Sequence, residues 1–275
     1  MTSASSALDI LRQCRAGAKA SCRILVVVAH PDDEVIGVGA RLHDWSDVHI
    51  TCTTDGAPLD MRDAVAARAP TRGAYAALRR AERARALALA GVPAWRVHDL
   101  GFVDQQSSRE LVALTALLVA VVRALRPSII ITHAYEGGHP DHDAAAFAVA
   151  AASAVLAREL APPALLELAS YHAGAHGIRT GAFLPAPVPL DDAPLAPPLR
   201  DHKRSLLACF GSQRQTLQYF DCGAEPLRLA PSYLFGAPPH DGALFYEHFD
   251  WGMRGHEWRA MARSAARDLG VAHLA

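Results

Sequence analysis

Short apolar runs alternate with longer amphipathic stretches along the first 171 residues of the chain. Five runs rich in β-branched residues predict strands over Arg23–Ala29, Val48–Thr53, Arg96–Leu100, Ser128–Thr132 and Leu165–Tyr171. Between them, helical spacing and strong helix formers predict helices over Val35–Trp45, Gly73–Ala90, Leu111–Leu125 and Asp143–Leu160. Strands that alternate with helices are typical of a parallel sheet covered on both faces.

The pattern changes after Tyr171, where a proline-dense run extends from Pro185 to Pro198 and a last helix is predicted over Glu257–Leu269. We therefore expect one α/β domain over residues 1–275 with a Rossmann-like, mostly parallel sheet. Its core would occupy residues 1–175. Residues 176–275 would form an irregular C-terminal lid or appendage that caps the substrate.

Composition narrows the class of partner. Half of the 275 residues are apolar, which is enough for a sizeable core, and the net charge is −1 without a basic run. This charge argues against nucleic acid or a membrane surface as the main partner and favours a small molecule. The five cysteines are scattered and form no Cys-x-x-Cys pair, and no signal-peptide core is present, so we expect a cytoplasmic protein. A homo-oligomer remains open.

Two apolar runs are followed by the same tripeptide. The segment 30–34 reads His-Pro-Asp-Asp-Glu, and the segment 139–142 reads His-Pro-Asp-His. Proline pushes the preceding residue towards an extended conformation, so each histidine is expected where a strand gives way to a helix. Pro31 and Pro140 fit the first helical position, with the following acids in the first turn. Because ligands bind outside the carboxyl ends of parallel strands, both segments are predicted at one mouth.

The residue types in these segments suit a metal. A catalytic zinc site uses about three ligands from histidine and carboxylate and leaves one position open. His30 and Asp33 can face one point, and one histidine of the second segment can complete the set. Such a metal lowers the pKa of its water to about 7, and Asp32 is then the candidate general base. The remaining histidine can stabilise an oxyanion or protonate a leaving amine, and Asp141 can keep it charged.

These segments resemble those of the LmbE-like or PIG-L family of zinc-dependent N-deacetylases. The segments Thr54–Gly56, Arg79–Glu82 and Leu100–Phe102, followed by Asp104, agree with that family, so the resemblance covers roughly the first half of the chain. In the mycothiol-pathway branch a tyrosine that helps to hold the oxyanion stands where this chain has Gly137, and Tyr135 is out of register with it.

The resemblance implies a role for each of several residues. It assigns the metal ligands as His30, Asp33 and His142, the general base as Asp32, and the cationic oxyanion stabiliser or acid as His139, with Asp141 orienting His139. Arg79 and Asp104 match positions that contact the sugar in members acting on N-acetylglucosaminyl substrates.

The sequence thus predicts a metal-dependent hydrolase that removes an N-acetyl group from a small aminosugar-type or related biosynthetic substrate and releases acetate and an amine. Zn²⁺ is the expected cofactor, although Fe²⁺, Co²⁺ and Mn²⁺ also accept a His2Asp set. An amidase of the same fold that acts on a thiol conjugate or a larger acyl group stays open, as does a non-catalytic metal- or ligand-binding domain. A dinucleotide enzyme is disfavoured because the first strand lacks the G-x-G-x-x-G turn.

Other polar and aromatic groups have simpler expectations. Isolated histidines are usually hydrogen-bonded structural groups, which is what we expect of His133, His172 and His176. The aromatic segment Phe245–Phe249 and the nearby Trp251 are expected to form a packing patch, and an aromatic platform for a substrate stays open as the alternative.

Overall fold

The computed structural model describes residues 4–15, 20, 22–175 and 177–275. Its strands are β1 Ile24–Val28, β2 Val48–Thr54, β3 Val97–Phe102, β4 Ile129–His133, β5 Ala164–Leu168, β6 Tyr171–Gly174, β7 Gly177–Thr180, β8 Leu190–Asp191 and β9 Leu227–Leu229. Its α-helices are α1 Ala4–Arg15, α2 Asp33–Val38, α3 Arg62–Ala66, α4 Arg72–Leu89, α5 Leu111–Leu125, α6 Pro140–Leu156, α7 Pro197–Leu207, α8 Arg214–Leu217 and α9 Gly255–Asp268.

The main sheet has seven strands in the order β3-β2-β1-β4-β5-β9-β8. The first five of these are mutually parallel, whereas β9 and β8 add to the edge in antiparallel pairings. The predicted mostly parallel α/β sheet is therefore confirmed. Strands β6 and β7 form a separate hairpin.

Both faces of the sheet are covered, as alternate residues of β1 show. Ile24, Val26 and Val28 belong to one buried cluster, which also includes residues of α1, α2 and α7. Leu25 and Val27 belong to a second cluster, with residues of α5, α6 and α9. A strand buried on both faces explains why its sequence is a continuous apolar run rather than an alternating one.

The two His-Pro-Asp segments start their helices differently. Pro140 is the first residue of α6 and His139 is its extended N-cap, as predicted. Asp32 instead has a φ of +136°, which places Pro31 and Asp32 in a turn, and α2 begins at Asp33. The expectation that Pro31 occupies the first helical position is therefore wrong. The helix predicted over Val35–Trp45 is also shorter, because 3₁₀ geometry replaces the α-helix from Gly39 to Asp44.

The C-terminal region is more regular than its composition predicts. Strand β8 lies inside the run from Pro185 to Pro198, and α7 starts at Pro197. Because β8 and β9 extend the main sheet, this region is built onto the core rather than simply covering it. The strand predicted over Leu165–Tyr171 is divided into β5 and the beginning of β6. No helix within the described ranges combines the length and apolar character needed to cross a bilayer.

Candidate metal centre

The two His-Pro-Asp segments meet at the carboxyl edge of the parallel strands, beside a cavity of about 340 Å³. Loops after β1, β3 and β4 supply its polar floor, and the C-terminal region supplies part of its wall. The lining residues are His30, Asp32, Asp33, Ile36, Pro58, Asp60, Arg62, Asp63, Arg79, Asp104, Gln105, His139, His142, Tyr171, Gln213, Thr216, Phe220 and Trp251.

Three potential ligand atoms form a nearly equilateral triangle in this floor. Asp33 Oδ2 lies 3.2 Å from His30 Nδ1 and 3.3 Å from His142 Nε2. The two imidazole nitrogens are 3.3 Å apart. Tetrahedral zinc with bonds of about 2.0–2.2 Å would space its ligands about 3.3–3.6 Å apart. The side chains thus fit a metal closely, and all three line the cavity.

A second group of His30, Asp104, His139 and Asp141 is also close enough to hold a metal, but its members have other partners. Asp104 Oδ1 lies 3.0 Å from His30 Nε2. A histidine that binds metal through one nitrogen commonly donates its other N–H to a carboxylate, which fixes the ring and its tautomer. The resemblance predicts that Asp104 contacts the sugar. In this structure it lies where it can orient the ring of His30.

His133 packs against one of the proposed ligands, His142. Its Nε2 accepts a hydrogen bond from the backbone N–H of Ala29 at 3.0 Å, and its Nδ1 lies 2.8 Å from Ser170 Oγ. Its ring stacks on that of His142 with the centroids 3.9 Å apart. The expected hydrogen-bonded role of His133 is confirmed, but its position against a candidate ligand was not predicted. His172 also hydrogen-bonds locally, to the carbonyl of Ala173, whereas His176 lies outside the described residues.

Burial and neighbouring charges together set the pKa values of Asp33 and His142. Burial alone would raise the pKa of Asp33, but His142 and His133 lower it well below its usual value. Burial, reinforced by His133, lowers the pKa of His142 well below 6.5. An ionised carboxylate and a neutral imidazole are the forms in which these side chains bind a metal.

Asp32, the candidate base, is buried beside this triangle. Arg79 Nη2 donates to Asp32 Oδ2 at 3.2 Å and to the carbonyl oxygen of Pro31 at 2.8 Å. The other terminal nitrogen of Arg79 donates to the carbonyl oxygen of Gly56 at 2.9 Å. Burial raises the pKa of Asp32 to about 8, although Arg79 opposes that shift. The resemblance predicts that Arg79 contacts the sugar. In this structure it hydrogen-bonds to the candidate base, Asp32.

His139 presents one nitrogen to the cavity. Its Nδ1 accepts a hydrogen bond from the backbone N–H of Asp141 at 3.1 Å, so the proton of the neutral ring is on Nε2. Burial, with the charge of His30, lowers the pKa of His139 to about 4. His139 can thus donate a hydrogen bond through Nε2, and the cationic form that the resemblance implies stays a prediction.

The predicted orientation of His139 by Asp141 takes an unexpected form. The Asp141 carboxylate is 4.0 Å from His139 Nδ1, which is too far for a hydrogen bond. It accepts instead from the backbone N–H of Gln105 at 2.6 Å and from the hydroxyl of Ser107 at 2.7 Å. Asp141 orients His139 through its backbone, while its side chain holds the loop after β3.

The site also has an aromatic part, which the sequence leaves open as an alternative to a packing patch for Trp251. Trp251 lines the cavity with its ring centroid 4.7 Å from that of His139. Tyr171 lines it too, with its ring centroid 5.1 Å from that of His142. Tyr246 is fully buried, in keeping with the packing prediction. Nothing local marks Tyr171 or Trp251, since distant segments bring them to the mouth.

Fold and site together define a class: α/β proteins with a parallel sheet and a His2Asp group suited to a metal at its carboxyl edge. Within it, residues 25–153 match the PIG-L family, described as GlcNAc-PI de-N-acetylase. The resemblance expected from the sequence is thus confirmed over these residues.

One curated relative is the 1D-myo-inositol 2-acetamido-2-deoxy-alpha-D-glucopyranoside deacetylase of Mycobacterium bovis. It is 35% identical over 142 residues, which cover 44% of this chain and 47% of that enzyme. The chain thus spans about half the length of the curated relatives that it matches.

Solved structures share the fold over more of the chain. A deacetylase of the teicoplanin biosynthesis pathway has a TM-score of 0.60 and 19% identity, over 75% of this chain and 96% of that one. The 4-carboxy-2-hydroxymuconate hydratase of Pseudomonas putida KT2440 has a TM-score of 0.51 and 18% identity, over 72% and 82%. Because the second is a hydratase, the fold alone does not decide the reaction.

Proposed function

We propose that this protein is a metal-dependent hydrolase that removes the acetyl group from an acetamide on a small aminosugar-type molecule and releases acetate and a free amine. The supporting observation is the triangle of His30 Nδ1, Asp33 Oδ2 and His142 Nε2, whose edges of 3.2–3.3 Å suit a tetrahedral metal. The family of residues 25–153 and the acetamido sugar named for the curated relative favour this substrate class.

In this proposal the metal is held by His30, Asp33 and His142, and zinc suits their nitrogen and oxygen donors. When bound, the metal would polarise the amide carbonyl and make a water acidic enough to attack it. Asp32 accepts the proton of that water. His139 Nε2–H donates to the acyl oxygen as negative charge develops there.

The residues that line the cavity support a sugar substrate. Asp60, Asp63 and Arg62 supply hydrogen-bonding groups, and Trp251, which also stacks on Phe249, supplies an aromatic ring. Hydroxyl groups need the first kind of surface and the C–H face of a sugar packs on the second. Arg79 and Asp104 border the same cavity, so contact with the substrate remains part of the proposal for both residues.

The first test measures metal and reaction on one sample. Elemental analysis of the purified full chain should give about one zinc per chain, since the three ligands form one site. Amine release from N-acetylglucosamine and its glycosides should stop with a chelator and return with Zn²⁺. His142→Ala should lose both metal and amine release, whereas His273→Ala, in the last 3₁₀ turn, should keep both.

Two results would contradict the proposal. Protein that takes up no divalent metal after reconstitution would show that the triangle is not a metal site. Metal-loaded protein that releases no amine from any acetamide would leave the non-catalytic binding domain as the better interpretation.

A further inference from the structure

Tyr171 is the aromatic residue of the cavity wall nearest to the proposed ligands. It begins β6, its ring lines the cavity, and it packs edge-to-face on the proposed ligand His142. Among the described residues, no side chain or backbone group hydrogen-bonds to its hydroxyl, although the ring lines the cavity. A tyrosine hydroxyl in a polar pocket is normally hydrogen-bonded, so this donor is available to a ligand.

We propose that Tyr171 is a catalytic residue of this site: its hydroxyl donates a hydrogen bond to the acyl oxygen of the substrate as that oxygen gains negative charge. This assignment rests on the proposed function, because it needs an amide carbonyl in the cavity. It adds a second protein donor to His139 Nε2, from a segment outside both His-Pro-Asp motifs.

A glycine pair allows Tyr171 to reach this position. A Cβ on Gly138 would overlap the carbonyl oxygen of Tyr171, so only glycine lets β6 pass this closely. Gly137 has a φ of +69°, and a Cβ there would lie 2.7 Å from Leu244 Cδ2. The loop before His139 thus offers no side chain of its own at these positions. The space beside it is filled by Tyr171 and Leu244 from later in the chain.

The ring of Tyr171 is held on several sides. His142, Phe245 and Phe220 pack around it with ring centroids 5.1, 5.6 and 6.0 Å away, all in edge-to-face geometry. Its backbone pairs with Thr180 in the β6–β7 hairpin. A donor fixed before the reaction costs little reorganisation when charge develops, which makes it effective in a transition state.

The chemical step assigns a place to each proton. Water forms a bond to the acyl carbon, the π electrons of the carbonyl move to its oxygen, and Asp32 accepts a proton from the water. The C–N bond then breaks as the carbonyl reforms, and Asp32 passes the proton that it took from the water to the leaving nitrogen, which regenerates the carboxylate. Tyr171 transfers no proton in this scheme. Burial raises the pKa of its phenol above the usual value of about 10, so the phenol remains protonated at neutral pH and acts as a hydrogen-bond donor.

The test removes only this hydroxyl, in the holoenzyme. Tyr171→Phe should lower kcat for N-acetylglucosamine roughly 10²-fold, as loss of one oxyanion donor does, with little change in KM. Zinc content and thermal unfolding should match the wild type, because the ring contacts remain. Tyr219→Phe is the matched control: Tyr219 is 58% exposed and does not line the cavity. It should leave kcat unchanged.

A binding measurement provides a second result that does not depend on turnover. The probe is the methylphosphonamide analogue of N-acetylglucosamine, in which tetrahedral phosphorus with charged oxygens replaces the acetyl carbon. Calorimetry should show that Tyr171→Phe binds this analogue roughly tenfold or more weakly than wild type, since the analogue mimics the transition state. Binding of glucosamine, which has no acyl oxygen, should not change.

The outcomes separate this assignment from the proposed function. A wild-type holoenzyme that hydrolyses no acetamide overturns both. An active wild type with an equally active Tyr171→Phe variant overturns the role of Tyr171 alone. Equal losses in kcat and in glucosamine binding would show that the hydroxyl supports the shape of the cavity rather than the reaction.

Discussion

Asp32 combines an unfavourable backbone conformation with a buried carboxylate. Its φ of +136° is one that residues other than glycine rarely adopt, and such conformations cost about 1–3 kcal/mol. They persist where surrounding contacts determine them, and here Arg79 holds both the Asp32 carboxylate and the preceding carbonyl. The turn directs the Asp32 side chain to the cavity while Asp33, the next residue, joins the proposed metal ligands.

The role of Asp32 can be tested by a nearly isosteric change. Asp32→Asn should keep the fold and about one zinc per chain, but lower kcat by roughly 10²- to 10⁴-fold, the usual effect of losing a general base. Asp201→Asn is the control, because the side chain of Asp201 is 73% exposed and lies on α7 away from the cavity. Full activity of Asp32→Asn would remove the base assignment.

At the scale of elements, the turn after β2 determines how closely α4 approaches the first His-Pro-Asp segment. Gly56 has a φ of +63°, and a Cβ there would lie 2.7 Å from Pro31 Cδ and 3.0 Å from Arg79 Cζ. The missing side chain is what allows Arg79 to reach Pro31 and Asp32. Asp55 stabilises the turn by accepting a hydrogen bond from Ala57 N–H at 3.1 Å.

Gly56→Ala should therefore separate Pro31 from Arg79. We expect a loss of stability above about 1 kcal/mol from backbone strain alone, a further loss from the clash, and reduced kcat. Gly91→Ala isolates the strain, since Gly91 has a φ of +79° with no atom within 4 Å of the added Cβ. Urea unfolding and kcat of both variants would be measured. Equal effects would show that the close approach at Gly56 does not matter.

A second junction joins the C-terminal region to the loop before His139. Arg228 on β9 contacts Glu167 of β5 at 2.7 Å and Glu136 of that loop at 3.1 Å. All three side chains are almost fully buried. The capping region and the second His-Pro-Asp segment are thus coupled through one guanidinium.

Removal of the Arg228 guanidinium should lower the stability of the protein. Arg228→Met leaves two buried carboxyl groups without their cation and should lower the free energy of unfolding by about 3–5 kcal/mol. Arg123→Met, in an exposed pair with Glu159, should cost less than about 1 kcal/mol. Chemical unfolding of both variants gives the comparison, and similar small losses would mean that Arg228 does not brace the loop.

This junction should also make stability depend on pH. Burial raises the pKa of Glu136 to about 8 and that of Glu167 to about 7, although Arg228 opposes both shifts. An acid that holds its proton more tightly when folded contributes stability below its unfolded pKa of about 4.5, and that contribution is lost as the pH rises through the folded pKa.

The free energy of unfolding should therefore fall between about pH 5 and pH 8, and Glu167→Gln should flatten the curve because its amide does not titrate. Urea unfolding across this range would check it, with the exposed Glu159→Gln as control. An unchanged slope in Glu167→Gln would contradict the assigned titration.

For the whole molecule, two apolar clusters on opposite faces of the sheet carry the fold, and the proposed metal lies at its edge. Removal of the metal should therefore abolish amine release without unfolding the sheet. The free energy of unfolding should fall by the amount that zinc binding contributes to it. That amount is about 2.7 kcal/mol when the concentration of free zinc before chelation is 100 times Kd. Circular dichroism and thermal unfolding before and after chelation would show this. Loss of the helical signal on chelation would mean that the metal is structural.

The local pattern predicted the parallel core well because each element carries its own signal. Leu111–Leu125 is helical over the bounds predicted from its spacing, and β2 extends the predicted Val48–Thr53 by one residue. Predictions failed where a contact between distant segments decided the conformation. Strand β8, with two residues, exists because β9 pairs with it, and no periodicity can arise in so short a run.

The sequence by itself determined the resemblance to the PIG-L family, the α/β core and the side chains that can hold a metal, because these depend on short-range periodicity and on motifs next to strand ends. Only the tertiary structure decided how the other residues take part. In the structure Arg79 hydrogen-bonds to Asp32, and Asp104 hydrogen-bonds to His30. Tyr171 lies in the space that Gly137 and Gly138 leave free. Those relations join residues from different elements, and a hydrogen bond or close contact across the fold leaves no pattern along the chain.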